Sequence, residues 1–477
     1  MLHLYITDYF IWGLVLLVAL YGVQVYRYAH WRQPWGRVFK RHTAAIAAVV
    51  LGMYALIGLS DSVHWSVENE QGQQSEALSL LDYAMTPMRT QVEKSYSAPF
   101  SIYGLSREMR IDEQGQTERA LPRLDHAGSH LPTAQQRSQD IRRKTLVGLA
   151  MGAAIAFLSL SLLALLLARG CPVGTWRRLK AWLLQHTPAR SAAVTYVLCL
   201  TILTTAYYLG QYYHVWGTDK VGYDVFYIAM KSVRTGLVIG TLTTVVMLPL
   251  ALALGMMAGY FRGWVDDVVQ YIYTTLNAIP GVLLIAAAVL MLNVYMHNHA
   301  ESFQSLAARA DWRLLFICLI LGMTSWTSLC RLLRAETLKL RESDYVVAAK
   351  TFGVSTPMIL FRHLMPNVMH IVLITVVIDF SGLVLAEAVL AYVEIGVDPT
   401  MHSWGNMINS ARLELARDPI VWWSLTASLI AMFVLVLCAN LFADAVRDAF
   451  DPRLKDEQGG QNTSGSESSP QSLEAQS

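Results

Sequence analysis

Apolar runs long enough to cross a bilayer as a helix, which takes about 20 residues, recur along the chain and alternate with polar segments of very unequal length. The first covers Tyr9 to Tyr26, the second Ala44 to Leu59, the third Leu146 to Ala168 and the fourth Ala192 to Leu209. Further runs follow at Gly236 to Met257, Val265 to Val294, Leu314 to Leu333, His370 to Val393 and Val421 to Phe442. This pattern predicts an all-α membrane protein with about nine transmembrane helices.

The polar segments orient these runs. YRYAHWRQPWGRVFKRH, between the first and second, carries Arg27, Arg32, Arg37, Lys40 and Arg41 and no acid. Short basic loops stay in the cytoplasm, so the amino terminus is expected outside. The linker after the third run carries Arg169, Arg177, Arg178, Lys180 and Arg190. Counting onward puts Arg262, the cluster Arg331, Arg334, Lys339 and Arg341, and the carboxyl-terminal Arg447 and Arg453 inside as well. The long segment 61–144 then falls outside, by the count of spans alone. Within it Glu76 to Val92 has helical spacing and Ser101 to Ile111 reads as a strand. Lacking cysteines and strong apolar periodicity, it is expected to form an accessory region without a large core. The start MLHLYITDYF has no Lys or Arg and reads as part of a retained span rather than a cleaved signal. The tail, polar and free of aromatics, is expected to be disordered. The expected division is thus 1–60, two helices; 61–144, a polar insert; 145–190, a third helix and basic linker; 191–454, a transmembrane core; and 455–477, the tail.

Composition narrows the function. Of 477 residues 54% are hydrophobic and 15% charged, with a formal charge of +2, which fits a membrane-lipid environment and argues against a nucleic-acid partner. The five cysteines, Cys171, Cys199, Cys318, Cys330 and Cys438, lie in or beside apolar runs without metal-ligand spacing, so neither a disulfide framework nor a metal site is predicted. His297 and His299 read as polar loop residues. No HExxH and no G-x-S-x-G occurs, and no Gly-Lys pair that a phosphate-cradling loop requires. The chain is not expected to be an enzyme, and any ATPase must come from another chain.

Candidate chemistry sits in three places. The segment Glu342 to Asn367, ESDYVVAAKTFGVSTPMILFRHLMPN, lies between the seventh and eighth runs. Its small residues Ala348, Ala349 and Gly353 suit the close approach of another protein. Pro366 lacks an amide hydrogen and is expected to end the preceding helix. Second, Asp379 and Glu387 fall inside the eighth run, where a mid-bilayer carboxylate costs about 2.5 to 3.5 kcal/mol; at ~100° per residue they share one broad face. Either they line a pathway or neighbouring hydroxyls or a proton satisfy them. Third, Lys231 and Arg234 follow Asp219 and Asp224; they are expected to snorkel to the interface, with pairing to those acids the alternative. Trp216, Trp264, Trp312, Trp404, Trp422 and Trp423 lie near run ends, as interfacial anchors do.

Several of these elements recur in a known order: Gly217-Thr218-Asp219 with Gly222 and Asp224; the turn Ala258 to Asp267; Ala348-Ala349 with Gly353; His363 with Pro366-Asn367; Trp404-Gly405; Trp422-Trp423; Arg447-Asp448; and Asp451-Pro452-Arg453. From Ala192 to Leu454 the chain resembles the permease subunit of ATP-binding-cassette importers, of the oligopeptide/dipeptide/nickel type. The resemblance implies a six-helix type I core preceded by about three extra helices, in a multi-pass protein of the bacterial inner membrane with its carboxyl terminus in the cytoplasm. It makes 342–367 the coupling segment that enters a groove of the ATPase, through Tyr345, Ala348, Ala349, Gly353, His363, Pro366 and Asn367. It makes Gly217, Thr218, Asp219, Gly222 and Asp224 an outer signature. It implies a second permease subunit, two ATP-binding subunits and an external solute-binding protein as partners, with no cofactor of its own because the partners bind ATP. Peptides are the expected cargo, with nickel or another small solute as alternatives. A channel or secondary transporter working without ATP would call for inverted repeats, and none is visible. Two departures stand out: Glu394 occupies a position where the family has glycine, and Ala443-Asp444 replaces Gly-Asp. To the region before 190 the resemblance assigns no role.

Overall fold

The computed structural model describes residues 2–3, 5–65, 77–111, 117–131, 134–168, 187–299 and 305–450. The tail 455–477 and most of the basic linker lie outside the described residues. The helices are α1 (Ile6–Arg27), α2 (Ala29–Val38), α3 (His42–Asp61), α4 (Leu80–Ala84), α5 (Thr86–Thr90), α6 (Arg137–Ala168), α7 (Pro188–Gly210), α8 (Val225–Phe261), α9 (Trp264–Ala278), α10 (Gly281–Asn298), α11 (Leu306–Arg341), α12 (Asp344–Thr351), α13 (Thr356–Tyr392), α14 (Trp404–Glu414) and α15 (Trp423–Phe450). Among the described residues nine are long and apolar enough to cross a membrane: α1, α3, α6, α7, α8, α10, α11, α13 and α15. Six of them follow from α7 onward and three precede these, nine in all, the number that the apolar runs predict.

One predicted run is broken. Val265 to Val294 is two helices, because Pro280 forces Ile279 into an extended conformation (φ −90°, ψ 129°) between α9 and α10. The 15-residue α9 is amphipathic, and only α10 has the length and composition of a span.

The centre of the molecule is the parallel pair α8 and α11. A β-carbon on Gly255 would lie 2.8 Å from the Cys330 carbonyl oxygen, one on Gly259 2.6 Å from Thr337 Cβ, and one on Gly322 2.7 Å from Val246 Cβ. Glycine at these three levels lets the two backbones approach. Smaller contacts attach the extra helices. Gly148 and Gly152 seat α6 against Thr205 and Thr201 of α7. At the end of the bundle bearing 342–367, Val38 and Ala44 pack on Ala445, Val446 and Ala449 of α15, and Arg41 pairs with Asp448.

The insert caps the opposite end. Strands β1 (Leu2–His3), β2 (His64–Trp65) and β3 (Leu78–Ser79) form an antiparallel sheet in that order, and β4 (Glu108–Ile111) pairs with β5 (Thr117–Ala120) as a hairpin. The predicted helix over Glu76 to Val92 is β3 followed by the short α4 and α5, and the predicted strand over Ser101 to Ile111 shrinks to β4. Leu81, Met85, Met88 and Tyr96 join Val225, Phe226, Trp404 and Trp423 in one buried cluster. The insert's apolar side chains thus extend the core of the bundle.

Candidate functional site

Segment 342–367 has two faces. Val346 and Ala349 of α12 are buried against Ile359 and Leu364, with Tyr260 and Leu340 alongside. Tyr345, Val347, Ala348, Met358, Phe352 (86% exposed) and Phe361 (67% exposed) point outward. Of the two alanines, therefore, only Ala348 is available to another protein. Gly353 has φ +76°, and its amide donates to the Lys350 carbonyl (3.1 Å) while that of Val354 donates to Ala349 (3.1 Å), a left-handed end to α12. Nothing lies within 4 Å of where its β-carbon would be. Asn367 Nδ2 donates to the Tyr345 hydroxyl (2.9 Å) and the His363 carbonyl (2.7 Å), tying α13 to α12, with His363 half-buried and Pro366 exposed. The helix does not end at Pro366. A π-turn over Ile359–Leu364 widens it, so the missing proline amide is absorbed and α13 continues to Tyr392. Arg262 donates to Glu342 (2.8 Å), Arg341 to the Tyr260 carbonyl (2.6 Å) and Arg334 to Asp266 (2.7 Å). These bonds clamp the turn after α8 to the end of α11.

At the insert end the signature 217–224 is bonded to the insert, with Gly217, Thr218, Gly222 and Asp224 buried. The Glu93 amide donates to the Gly222 carbonyl (3.0 Å) and that of Thr218 to Ser97 (3.1 Å). Gly222 (φ +90°) allows no side chain, because a β-carbon would lie 1.7 Å from the Glu93 carbonyl oxygen. Asp219 Oδ1 accepts from the amides of Val221 and Tyr223 (2.9 Å each). Asp224 caps α8 by accepting from Phe226 (2.8 Å) and Tyr227 (3.2 Å), and its other oxygen meets His214 Nδ1 at 2.7 Å. His214 Nε2 lies 3.6 Å from Glu93, whose carboxylate also accepts from the amides of Asp125, His126 and Ala127. Burial alone would lower the His214 pKa, but the hydrogen bond with Asp224 and the negative charges of Asp224 and Glu93 outweigh it and raise the value to about 9. Burial would raise that of Glu93, yet the nearby His214 and the hydrogen bonds of the three amides bring it to about 2.

Lys231 and Arg234 neither snorkel nor pair with Asp219 or Asp224. Lys231 Nζ sits 2.6 Å from Asp82 Oδ2, with the Tyr227 hydroxyl also donating to Asp82 (2.6 Å), and Arg234 meets Asp8 of α1 at 2.7 Å. Sequence reasoning missed Asp82, Glu93 and His214. For Asp82 a signal existed: Ser79-x-x-Asp82 is a capping box, closed here by bonds of 3.0 and 3.1 Å. Trp404 and Trp423 are core residues rather than anchors; they are buried and donate to the carbonyls of Ala229 (3.1 Å) and Thr218 (2.9 Å). Trp264 and Trp422 are exposed. Glu387 is buried and accepts from the Gly405 amide (3.3 Å), at the start of α14. Asp379, half-buried, keeps one shielded oxygen that meets no donor among the described residues.

Residues 251–456 match the family described as the binding-protein-dependent transport system inner membrane component. A glutathione transport system permease protein of Pectobacterium atrosepticum is 30% identical, over 59% of this chain and 90% of its own length. A dipeptide transport system permease protein of Lactococcus lactis is 30% identical over 51% of this chain and 65% of its own, and an oligopeptide transport system permease protein of Mycobacterium tuberculosis 29% over 50% and 76%. The chain belongs to the family of binding-protein-dependent inner membrane components, the multi-pass permease subunits of ATP-binding-cassette importers.

Proposed function

We propose that this permease carries peptides across the inner membrane, driven by ATP that a separate ATPase subunit hydrolyses while docked on 342–367. The observation that carries the docking reading is the exposure of large apolar side chains along that segment, Phe352 and Phe361 foremost, because exposed aromatic side chains on a firmly held surface are typical anchors of protein interfaces. Tyr345, Ala348, Gly353 and Asn367 border it, while Ala349, His363 and Pro366 hold its shape. Peptide cargo is supported by what the relatives are named for, glutathione, dipeptides and oligopeptides. The partners are a second permease subunit, two ATP-binding subunits and a solute-binding protein. The basic loop from Arg27 to Arg41 supports an amino terminus outside and the 342–367 end in the cytoplasm. On this reading Asp379, one of whose oxygens meets no donor among the described residues, lines the pathway, and Glu387 holds α14.

Phe352→Asp tests the docking. Co-purification of ATPase subunits in detergent is expected to fall at least about tenfold, as a buried aromatic anchor is worth 2 kcal/mol or more, with the permease level in the membrane unchanged. The same change at exposed Leu413, at the insert end, is expected to leave co-purification intact. Undiminished co-purification of Phe352→Asp would overturn the docking. Ala349 is unsuitable as a test site, since a large residue there breaks the segment's own packing. For the cargo, stimulation of ATP hydrolysis in the reconstituted complex by nickel and not by peptides would overturn the peptide reading.

A further inference from the structure

A buried charge cluster lies at the insert end, away from 342–367. Arg234, in α8, is buried and donates to Asp8 (2.7 Å) and to the Thr7 hydroxyl (3.0 Å), with Asp311 of α11 at 3.7 Å. Thr7 in turn donates to Asp311 through its amide (3.1 Å) and its hydroxyl. The Asp8 carboxylate also accepts from the Tyr5 amide (3.1 Å) and lies 3.2 Å from His64. Thr7, Asp8, His64, Arg234 and Asp311 are all nearly inaccessible to solvent. A guanidinium in such surroundings depends on its partners, and removing one leaves an uncompensated charge. Here two of them come from α1, which lies outside the family match at 251–456, while α11 lies within it.

What the cluster holds is the start of the α8–α11 pair. The close approaches at Gly255, Gly259 and Gly322 leave the two helices no room to slide, and packed elements move between discrete arrangements rather than bending. At the far end Arg341 donates to the Tyr260 carbonyl within the pair, and 342–367 is joined to it by Arg262 with Glu342 and by Tyr260 and Leu340 packing against Val346 and Ala349. One rigid body therefore runs from Asp8 to the segment read as the ATPase dock. We propose that Thr7 and Asp8 are positioning residues for transport. Acting through Arg234 and Asp311, they fix the insert end of the α8–α11 pair, so that movement imposed on 342–367 becomes movement of the pathway. This inference rests on the docking reading above.

The test uses the full complex in liposomes, with both permeases, the ATPase subunits and the solute-binding protein, and radiolabelled trialanine as probe. ATP hydrolysed per peptide imported, hydrolysis without loaded binding protein, and the thermal midpoint are compared for wild type, Asp8→Asn, Asp8→Glu and Thr7→Val. Asp8→Asn is expected to raise ATP consumed per peptide at least about threefold and to raise unstimulated hydrolysis, with the KM for ATP unchanged; Asp8→Glu should return the ratio to within about twofold of wild type. A lowered midpoint with a wild-type ratio would show that the contact only supports the fold, and would overturn the inference. Should Asp8→Asn not assemble, Thr7→Val decides, since it removes one hydroxyl; a wild-type ratio there overturns it equally. A wild-type complex whose ATPase never responds to loaded binding protein would instead defeat the docking reading, and the inference with it.

Discussion

Glu394 shows how a departure from family pattern becomes an energetic statement. Its φ of +64° places it in the left-handed region just past the end of α13, where its amide donates to Ala391 (2.9 Å) and that of Ile395 to Leu390 (2.9 Å). Gly353 does the same job for α12 with the residue best suited to it. A side chain in that conformation costs roughly 1 kcal/mol, and the exposed contact with Arg412 at 3.4 Å offsets little of it. Glu394→Gly is therefore expected to stabilise the chain by about 0.5–1 kcal/mol. Glu394→Val, whose branched β-carbon fits this region worst, is expected to destabilise it by about 1–2 kcal/mol. Thermal midpoints in detergent at neutral pH check both signs, and a midpoint lowered by glycine would show that the ion pair outweighs the backbone. The resemblance marks this position as unusual. Only the backbone angle supplies the reason.

Between elements, legibility falls off with distance along the chain. Each apolar run is a local pattern, so the nine spans could be read directly. The break at Pro280 was hidden because the flanking runs are continuous in hydrophobicity, although the proline itself was in view. Trp404 and Trp423 lie at run ends, where interfacial anchoring is the ordinary expectation, and it misleads here because Trp404 packs against Gly236 and Tyr54 and Trp423 against the turn at Gly217 and Thr218. Gly259 belongs to a readable turn motif, but its necessity comes from Thr337, on a helix two spans later. Gly259→Val is expected to force α8 and α11 apart at their 342–367 end and to cost at least about 3 kcal/mol. Two cysteines placed across the pair nearer the insert end, beside Gly322, should still cross-link in that variant, whereas a pair beside Gly259 should not. Equal cross-linking at both levels would mean that the helices repack without separating.

At the scale of the whole molecule, the joint between insert and bundle is set by three residues that no local pattern connects: Glu93 from the insert, His214 from the connection after α7, and Asp224 from the start of α8. Its electrostatics give it a defined pH window. A histidine raised from its usual 6.5 to about 9 in the folded chain contributes stability in full below pH ~6.5 and loses it as pH climbs toward 9. A glutamate lowered from 4.5 to about 2 contributes in full above pH ~4.5 and loses it as pH falls toward 2. The joint is thus strongest between about pH 4.5 and 6.5 and weakens on the alkaline side through His214, by on the order of 3 kcal/mol at full deprotonation. His214→Asn keeps a donor toward Asp224 without the titration. Its thermal midpoint should lie below wild type at pH 6, and the two should converge toward pH 9.5, with protease cutting of the wild-type insert rising over the same interval. Other groups titrate as well, so the difference between the two proteins is the quantity to follow. A difference that stays constant from pH 6 to 9.5 would mean that His214 is not charged in the joint, and that the amides of residues 125–127 and the backbone contact at Gly222 hold the insert on their own.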